Sequence, residues 1–220
     1  MADVIVFGAT DLAEMVAYYL CHDAGHRVMA FTVDGAYLKE SRLSDRPVVP
    51  FEELTVAYSP DRFKLLVAMG YRRVNRLRSQ KYCEVRAAGY QLVSYVSTRA
   101  AVASNVPIGE NCIILEHNHV QPYARIGSNV VMLSGNLVSH HTSIGDDCFL
   151  AGGCAIGGRV TLGRGCFVGL NATIGNSITV GDHCVVGAGA VLLESSGAGA
   201  VYRAAPARRL DITSHTMDDL

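Results

Sequence analysis

A parallel β-helix preceded by a small α/β domain is the fold class this sequence predicts. Three observations predict it: an aliphatic residue at every sixth position through the second half, glycine recurring directly after it, and a strand–glycine–helix opening in the first half. Stepping by six from Ile108 gives Ile114, Val120, Ile126, Met132, Val138, Ile144, Leu150, Ile156, Leu162, Val168, Ile174, Val180, Val186 and Leu192, fifteen aliphatic positions in succession. Steps backwards add Val102 and Val96. Neither the 3.6-residue period of an amphipathic helix nor the period of two of an ordinary strand reproduces this register, whereas short β-helix repeats do.

Glycine follows the aliphatic at 109, 127, 145, 157, 163, 169, 175, 181 and 187. That placement reads as a corner where a side chain would collide or where φ is positive. Four residues after each aliphatic comes a mostly small residue, among them Cys112, Cys148, Cys154, Cys166 and Cys184. Five of the seven cysteines are therefore core fillers, since a free cysteine packs as a small hydrophobe. The clearest aliphatic–glycine pairs, at 108, 126, 144, 162 and 180, are eighteen residues apart. Three hexads then make one lap of a triangular prism whose inward aliphatics stack in ladders. This arithmetic puts His140 on a corner, directly below Gly158.

The first ninety residues read differently. Val4-Ile5-Val6-Phe7, Gly8 and the helical run Leu12–Leu20 form strand, turn and helix, with Arg27–Val33 as the next strand. A third strand, Leu65–Met69, ends in Gly70 and precedes a charged helix running from Arg72 towards Gly89. Such small parallel sheets bind ligands beyond the carboxyl ends of their strands. Gly8 at the first helix N-terminus reads as a receiver of diphosphate through backbone N–H groups, and Asp34, at the end of the second strand, as a partner for ribose hydroxyls. The full glycine fingerprint is absent, because Ala9-Thr10-Asp11-Leu12 follows Gly8, so a purely structural flanking domain stays open. The expected divisions are 1–92 for a Rossmann-like domain, 93–197 for the β-helix and 198–220 for a C-terminal tail.

Composition narrows the function classes. Nineteen Lys+Arg against twenty Asp+Glu leave a net charge of −1, which argues against nucleic acid or anionic lipid as a partner. No apolar run is long enough for a membrane span, and Asp3 and Asp11 occupy a start that lacks a basic export signal. The expected location is the cytoplasm, where cysteines stay reduced.

Among the histidines, His140 and His141 stand at a prism corner where side chains point outward. A histidine near its ordinary pKa suits general-base work, and a solvated corner pair is the equal alternative. Glu116-His117-Asn118-His119 invites a metal reading, but the hexad breaks the strand alternation that would converge the two imidazoles, so no metal is expected. Tyr71-Arg72-Arg73 either meets a phosphate or begins a solvated helix.

From Val4-Ile5-Val6-Phe7-Gly8 to Ala205-Pro206-Ala207-Arg208, the chain resembles the hexapeptide-repeat, left-handed β-helix sugar acyltransferases. It is most similar to the sialic acid, bacillosamine and perosamine acetyltransferase group. The resemblance implies a left-handed coil, a homotrimer, and acetyl-CoA as co-substrate in clefts between neighbouring prisms. It carries the base onto His140, within Gly135-Asn136-Leu137-Val138-Ser139-His140-His141, and carries the donor to the thioester carbonyl onto the Gly158 N–H. The pantetheine wall falls on Gly169, Asn171, Gly187 and Gly189, and the segment near the CoA nucleotide on Pro206, Ala207 and Arg208. The acceptor nucleotide maps onto Gly8, Asp34, Gly70, Tyr71 and Arg72. Where many relatives carry Asp after the base, this chain has His141, which leaves the residue that orients the imidazole open, with Glu116 of an adjacent subunit as one candidate.

The expected function is acyl transfer, most simply acetyl from acetyl-CoA, to an amino or hydroxyl group of a sugar. The sugar is expected to be nucleotide-linked and to serve surface polysaccharide or lipopolysaccharide biosynthesis. His140 would act as general base, with direct attack on the thioester. Two rivals are a non-catalytic nucleotide-sugar sensor or scaffold, and a zinc carbonic anhydrase drawing on His117, His119 and His140.

Overall fold

The computed structural model describes residues 1–209, so the remainder of the expected C-terminal tail lies outside the described residues. In the N-terminal domain, β1 (Asp3–Phe7) lies between β2 (Arg27–Val33) and β5 (Lys64–Val67), parallel to both. Val4 and Val6 enter one apolar cluster and Ile5 and Phe7 another, so both faces of the sheet are covered, as a parallel sheet requires. Helix α1 (Asp11–His22) buries Ala13, Val16, Ala17 and Leu20, the i, i+3, i+4, i+7 stripe of an amphipathic helix. Two strands were not legible beforehand: β3 (Arg42–Leu43) and β4 (Arg46–Pro50) form a hairpin that extends the sheet in the order β3-β4-β2-β1-β5. Its two-residue turn has Ser44 and Asp45 both at positive φ, 44° and 60°, without the Asn-Gly pair that announces such turns.

A short helix α2 (Leu54–Ala57) precedes β5, and the helix expected from Arg72 begins later, as α3 (Arg76–Ala87). Arg73, Val74 and Asn75 have φ of 53°, 51° and 64°, a left-handed turn that cannot continue a right-handed helix. The buried Asn75 side chain explains it. Its Nδ2 donates to the carbonyls of Gly165 (3.1 Å) and Cys166 (3.0 Å), so docking on the second domain outweighs local helical preference.

From Tyr95 onwards the chain winds as a prism of three parallel sheets with seven, six and four two-residue strands. Strand pairing runs i to i+18 from Tyr95↔Ile113 up to Ile174↔Leu192. Val96, Val102 and the aliphatics from Ile108 to Leu192 line the axis, with the five cysteines between them. Burial pushes the thiols of Cys112 and Cys154 up to about 11, which keeps them neutral. The last lap is shorter: Val185 pairs with Val201, so the prism continues to Tyr202, beyond the expected boundary at 197.

The corners correct one reading. Positive φ belongs to the third residue after each aliphatic, as at Asn111, Tyr123, Asn129, His141, Asp147, Arg159, Asn171, Ser177 and His183. The glycine directly after the aliphatic is needed for space: a Cβ at Gly127 would lie 2.7 Å from the Asp146 backbone nitrogen of the next lap.

One sheet faces the N-terminal domain, and its outward residues Tyr95, Ile113, Val131, Phe149 and Phe167 join the α1 cluster. On the adjoining corner, Asn111 Nδ2 donates to Asn129 Oδ1 and Asn129 Nδ2 to Asp147 Oδ1, each at 2.7 Å. The same Asn111 side chain accepts from the Val67 N–H (2.7 Å), closing the free edge of β5. Arg78 of α3 is fully buried, and its guanidinium donates to the carbonyls of Asn129, Asp147 and Cys148 at 3.2, 2.6 and 3.0 Å. Burial pulls its pKa down to about 10, so it stays charged at neutral pH. Replacing Arg78 by Ala orphans those carbonyls, each worth about 1–3 kcal/mol when left unpaired. Denaturant unfolding of Arg78→Ala is expected to show a loss of about 3 kcal/mol or more.

Candidate active site

The prism has three corner columns, and the N-terminal domain leaves one of them bare. That column carries Pro122, His140, Gly158 and Asn176, one per lap, because pairing at 18-residue intervals stacks equivalent positions. His140 and His141 are both exposed. The His140 imidazole lies across the Cα of Gly158: a Cβ placed there would meet His140 Cε1 at 2.8 Å, Nε2 at 3.0 Å and Nδ1 at 3.3 Å. Only glycine leaves the ring this place. Gly158 has no positive φ, so its role is room rather than backbone freedom.

Three contacts hold the histidine pair. The His140 N–H donates to Gln121 Oε1 (3.0 Å), the two Nδ1 atoms are 3.2 Å apart, and the His141 ring stacks on Tyr123 with centroids 4.8 Å apart. His141 occupies the left-handed corner position, φ 58°. Among the described residues nothing hydrogen-bonds His140 Nε2, and the side chain is exposed, so this nitrogen is free to accept or donate a proton.

The Gly158 N–H is not free. It donates to Asn176 Oδ1 at 2.8 Å, a bond missed from sequence although Asn176 stands two laps above His140 in the same column. The same capping recurs at Ser128 with Asp146 (2.7 Å) and at Arg164 with Asp182 (3.0 Å), so it belongs to the repeat. Asn176 is exposed, which makes this cap an ordinary bond of about 1 kcal/mol.

Other expected residues fall elsewhere. Gly169, Asn171, Gly187 and Gly189 line the corner that follows the domain-facing sheet, with the Asn171 Oδ1 over Gly153. Within one chain that corner is separated from the His140 corner by a whole sheet. Pro206, Ala207 and Arg208 are exposed and follow the last strand. Glu116 lies on the Asn171 corner, accepts from Ser134 Oγ at 3.0 Å and lies beside the Tyr19 hydroxyl, so within its own chain it does not orient His140. His119 belongs to the sheet below Leu137 and His117 to another corner from His140. Among the described residues no group of three or more His, Cys, Asp or Glu converges as a metal site, and no helix is long and apolar enough to cross a membrane.

In the N-terminal domain, Gly8 has φ +133°, and a Cβ there would lie 2.7 Å from the Ala68 carbonyl oxygen, so glycine is required where β1 meets α1. Asp34 is half-buried and ion-paired to Lys81 of α3 at 2.6 Å. Lys81 in turn lies over the Phe7 and Phe51 rings. Tyr71 leans on Phe149 and Phe167 with centroids 5.1 and 4.7 Å away, which ties the Gly70–Arg72 loop to the prism, and Arg72 is exposed. Asp11 and Glu14 both stand in the first turn of α1, where their charge opposes a bound phosphate. A cavity of about 330 Å³ opens between α3 and the corner of Gly165, away from His140.

Comparison with known proteins agrees with this architecture. The family model described as bacterial transferase hexapeptide (six repeats) matches residues 141–176, and that of the hexapeptide repeat of succinyl-transferase matches residues 159–194. No curated protein sequence gives a significant match. Among solved structures, a histidine-to-asparagine variant of perosamine N-acetyltransferase from Caulobacter crescentus, in complex with CoA and GDP-perosamine, is 25% identical. It superposes with a TM-score of 0.83, covering 91% of this chain and 93% of that one. The acetyltransferase domain of PglB from Neisseria gonorrhoeae, in complex with acetyl coenzyme A, is 23% identical with a TM-score of 0.81 over 90% and 94% of the two chains, and shares the fold. WeeI from Acinetobacter baumannii, 21% identical with a TM-score of 0.71 over 91% and 96%, does so too. The six-residue repeat, the prism it builds and these matches are those of the hexapeptide-repeat, left-handed β-helix acetyltransferases, and the chain is similar at low identity to nucleotide-sugar N-acetyltransferases.

Proposed function

We propose that the protein transfers an acetyl group from acetyl-CoA to an amino or hydroxyl group of a nucleotide-linked sugar used in surface polysaccharide synthesis in the cytoplasm. The observation that carries this reading is the exposed His140 imidazole lying against Gly158, with Nε2 free to accept a proton. Acetyl-CoA, when bound, supplies an activated thioester. His140 Nε2 takes the proton from the sugar amine or hydroxyl as that group attacks, and then returns it to the departing sulfur. No covalent intermediate on the protein is required. The Gly158 N–H turns to the carbonyl oxygen as negative charge develops there. Losing the Asn176 cap costs about 1 kcal/mol, whereas a donor facing a developing oxyanion is worth about 3–4 kcal/mol.

The distribution of the remaining residues supports a homotrimer. The sheet between the His140 corner and the Asn171 corner has outward residues Ala101, His119, Leu137, Ala155, Thr173 and Val191, with Leu137 and Val191 exposed, whereas the third sheet presents Arg125, Ser143, Thr161 and Thr179. Three copies that turn the first of these sheets towards a common axis bring the His140 corner of one to the Asn171 corner of the next. Gly169, Asn171, Gly187 and Gly189 then form the opposite wall for pantetheine, and Pro206, Ala207 and Arg208 close over the CoA nucleotide. The sugar nucleotide is assigned to Gly8, Asp34 and the Gly70-Tyr71-Arg72 rim. One observation favours a non-catalytic scaffold as the second reading: the carboxylates of Asp11 and Glu14 at the α1 N-terminus, where a diphosphate would otherwise rest.

Thermal unfolding separates the two. At one hundred times its Kd, acetyl-CoA stabilises an acetyltransferase by about 2.7 kcal/mol, and an unchanged Tm supports the scaffold. His140→Ala is expected to lower kcat by about 10²–10⁴ with little change in stability. Gly158→Ala, whose added methyl pushes the imidazole aside, is expected to lose about 10²-fold in kcat while the prism stays folded. Asn176→Ala removes the competing cap and is expected to raise kcat by up to about fivefold with the KM for acetyl-CoA unchanged; a large loss of kcat would move the oxyanion donor from the Gly158 N–H to the Asn176 amide.

A further inference from the structure

His141 meets His140 through nitrogen atoms that cannot both be donors or both be acceptors. At 3.2 Å, one Nδ1 carries the hydrogen and the other offers its lone pair. The direction of that bond decides what His140 can do. If His140 Nδ1 donates, the neutral ring has its lone pair on Nε2, the atom with no partner among the described residues; if it accepts, Nε2 carries the hydrogen and is no base. Nothing else among the described residues hydrogen-bonds the His140 ring, since Gln121 takes only its backbone N–H. His141 itself is well held for the task. Its ring is stacked on Tyr123, it stands nearly perpendicular to the His140 ring at 84°, and its backbone occupies the left-handed corner that the prism requires there.

We propose that His141 is the positioning residue for the base, its neutral imidazole accepting the His140 Nδ1–H and so fixing the tautomer with Nε2 unprotonated. This rests on the reading of His140 as general base. As the acceptor is deprotonated, the proton arrives at His140 Nε2, and the resulting imidazolium keeps its Nδ1–H on a neutral ring. Among the described residues no carboxylate hydrogen-bonds either ring, so within one chain the bond between the two imidazoles does the orienting.

The test compares His141→Ala with His141→Asn. Asn tolerates left-handed φ and offers a side-chain oxygen as acceptor. His141→Ala is expected to lower kcat about 10- to 100-fold, a part of what a general base contributes, with the KM for acetyl-CoA and the Tm unchanged. His141→Asn is expected to recover most of that loss. Nitrogen-15 NMR of the neutral His140 ring is expected to show hydrogen on Nδ1 in the native protein and a tautomer mixture in His141→Ala. Native kcat in His141→Ala, or an unchanged tautomer, overturns the proposal while His140→Ala still lowers kcat by about 10²–10⁴. Native kcat in His140→Ala removes the general-base reading itself, so the two failures are distinguishable.

Discussion

Almost everything in this molecule follows from a lap of eighteen residues. Because each coil spans three hexads, every position rests on its own equivalent one turn away: aliphatic on aliphatic along the axis, glycine beneath the backbone of the next corner, left-handed residue on left-handed residue. A Cβ added at Gly127, Gly145 or Gly163 would meet the lap above at under 3 Å, so the coil spacing and the glycine are one requirement. The same stacking puts a histidine, a glycine and an asparagine in one column at the open corner. Where the lap shortens, with Val180 bridged to Ser196, the regular ladder of aliphatics ends as well, after Leu192.

The corner residues serve two purposes at once. A left-handed backbone favours Asn and Asp among residues with side chains, and on the corner beside α3 these are Asn111, Asn129 and Asp147, whose side chains form a buried ladder. Arg78 reads the carbonyls of that corner, Ser79 donates to Asp147 Oδ2 at 2.9 Å, and Arg164 pairs with the same carboxylate at 2.7 Å. An unpaired buried guanidinium is expensive, so the α3 helix can dock in one place only. The position of the N-terminal domain is thus set by polar satisfaction as much as by the aromatic side chains beneath it.

On the open corner the repeat's geometry serves the site proposed for the transfer. His141 has the left-handed conformation of any residue at that position, and Asn176 caps an N–H as Asp146 and Asp182 do on another corner. What differs is the neighbour. With glycine at 158, an imidazole can lie on the backbone next to a capped N–H, and among the described residues no element of the N-terminal domain covers it.

How much was legible depended on whether a signal was local or periodic. The hexads, the three-sided lap, the burial of the cysteines and the stacking of His140 against Gly158 needed only counting, because coil geometry turns sequence separation directly into position. The sheet that would be covered was written in the same period: Tyr95, Ile113, Val131, Phe149 and Phe167, eighteen apart, are apolar where the equivalent residues of the polar sheet are Arg125, Ser143, Thr161 and Thr179. The start of α3, the hairpin over 42–50 and the Arg78 contacts could not be read that way. Asn75 leaves helical geometry to reach Gly165 and Cys166, ninety residues on, and Arg78 is buried by carbonyls 51 to 70 residues away. The amino-acid sequence determined the prism and its columns, since each lap repeats one local conformation. Tertiary structure decided where the first domain docks, because the contacts of Asn75 and Arg78 join segments that no period relates, and it decided which side-chain atoms meet at the open corner, because rotamers are not written in the period.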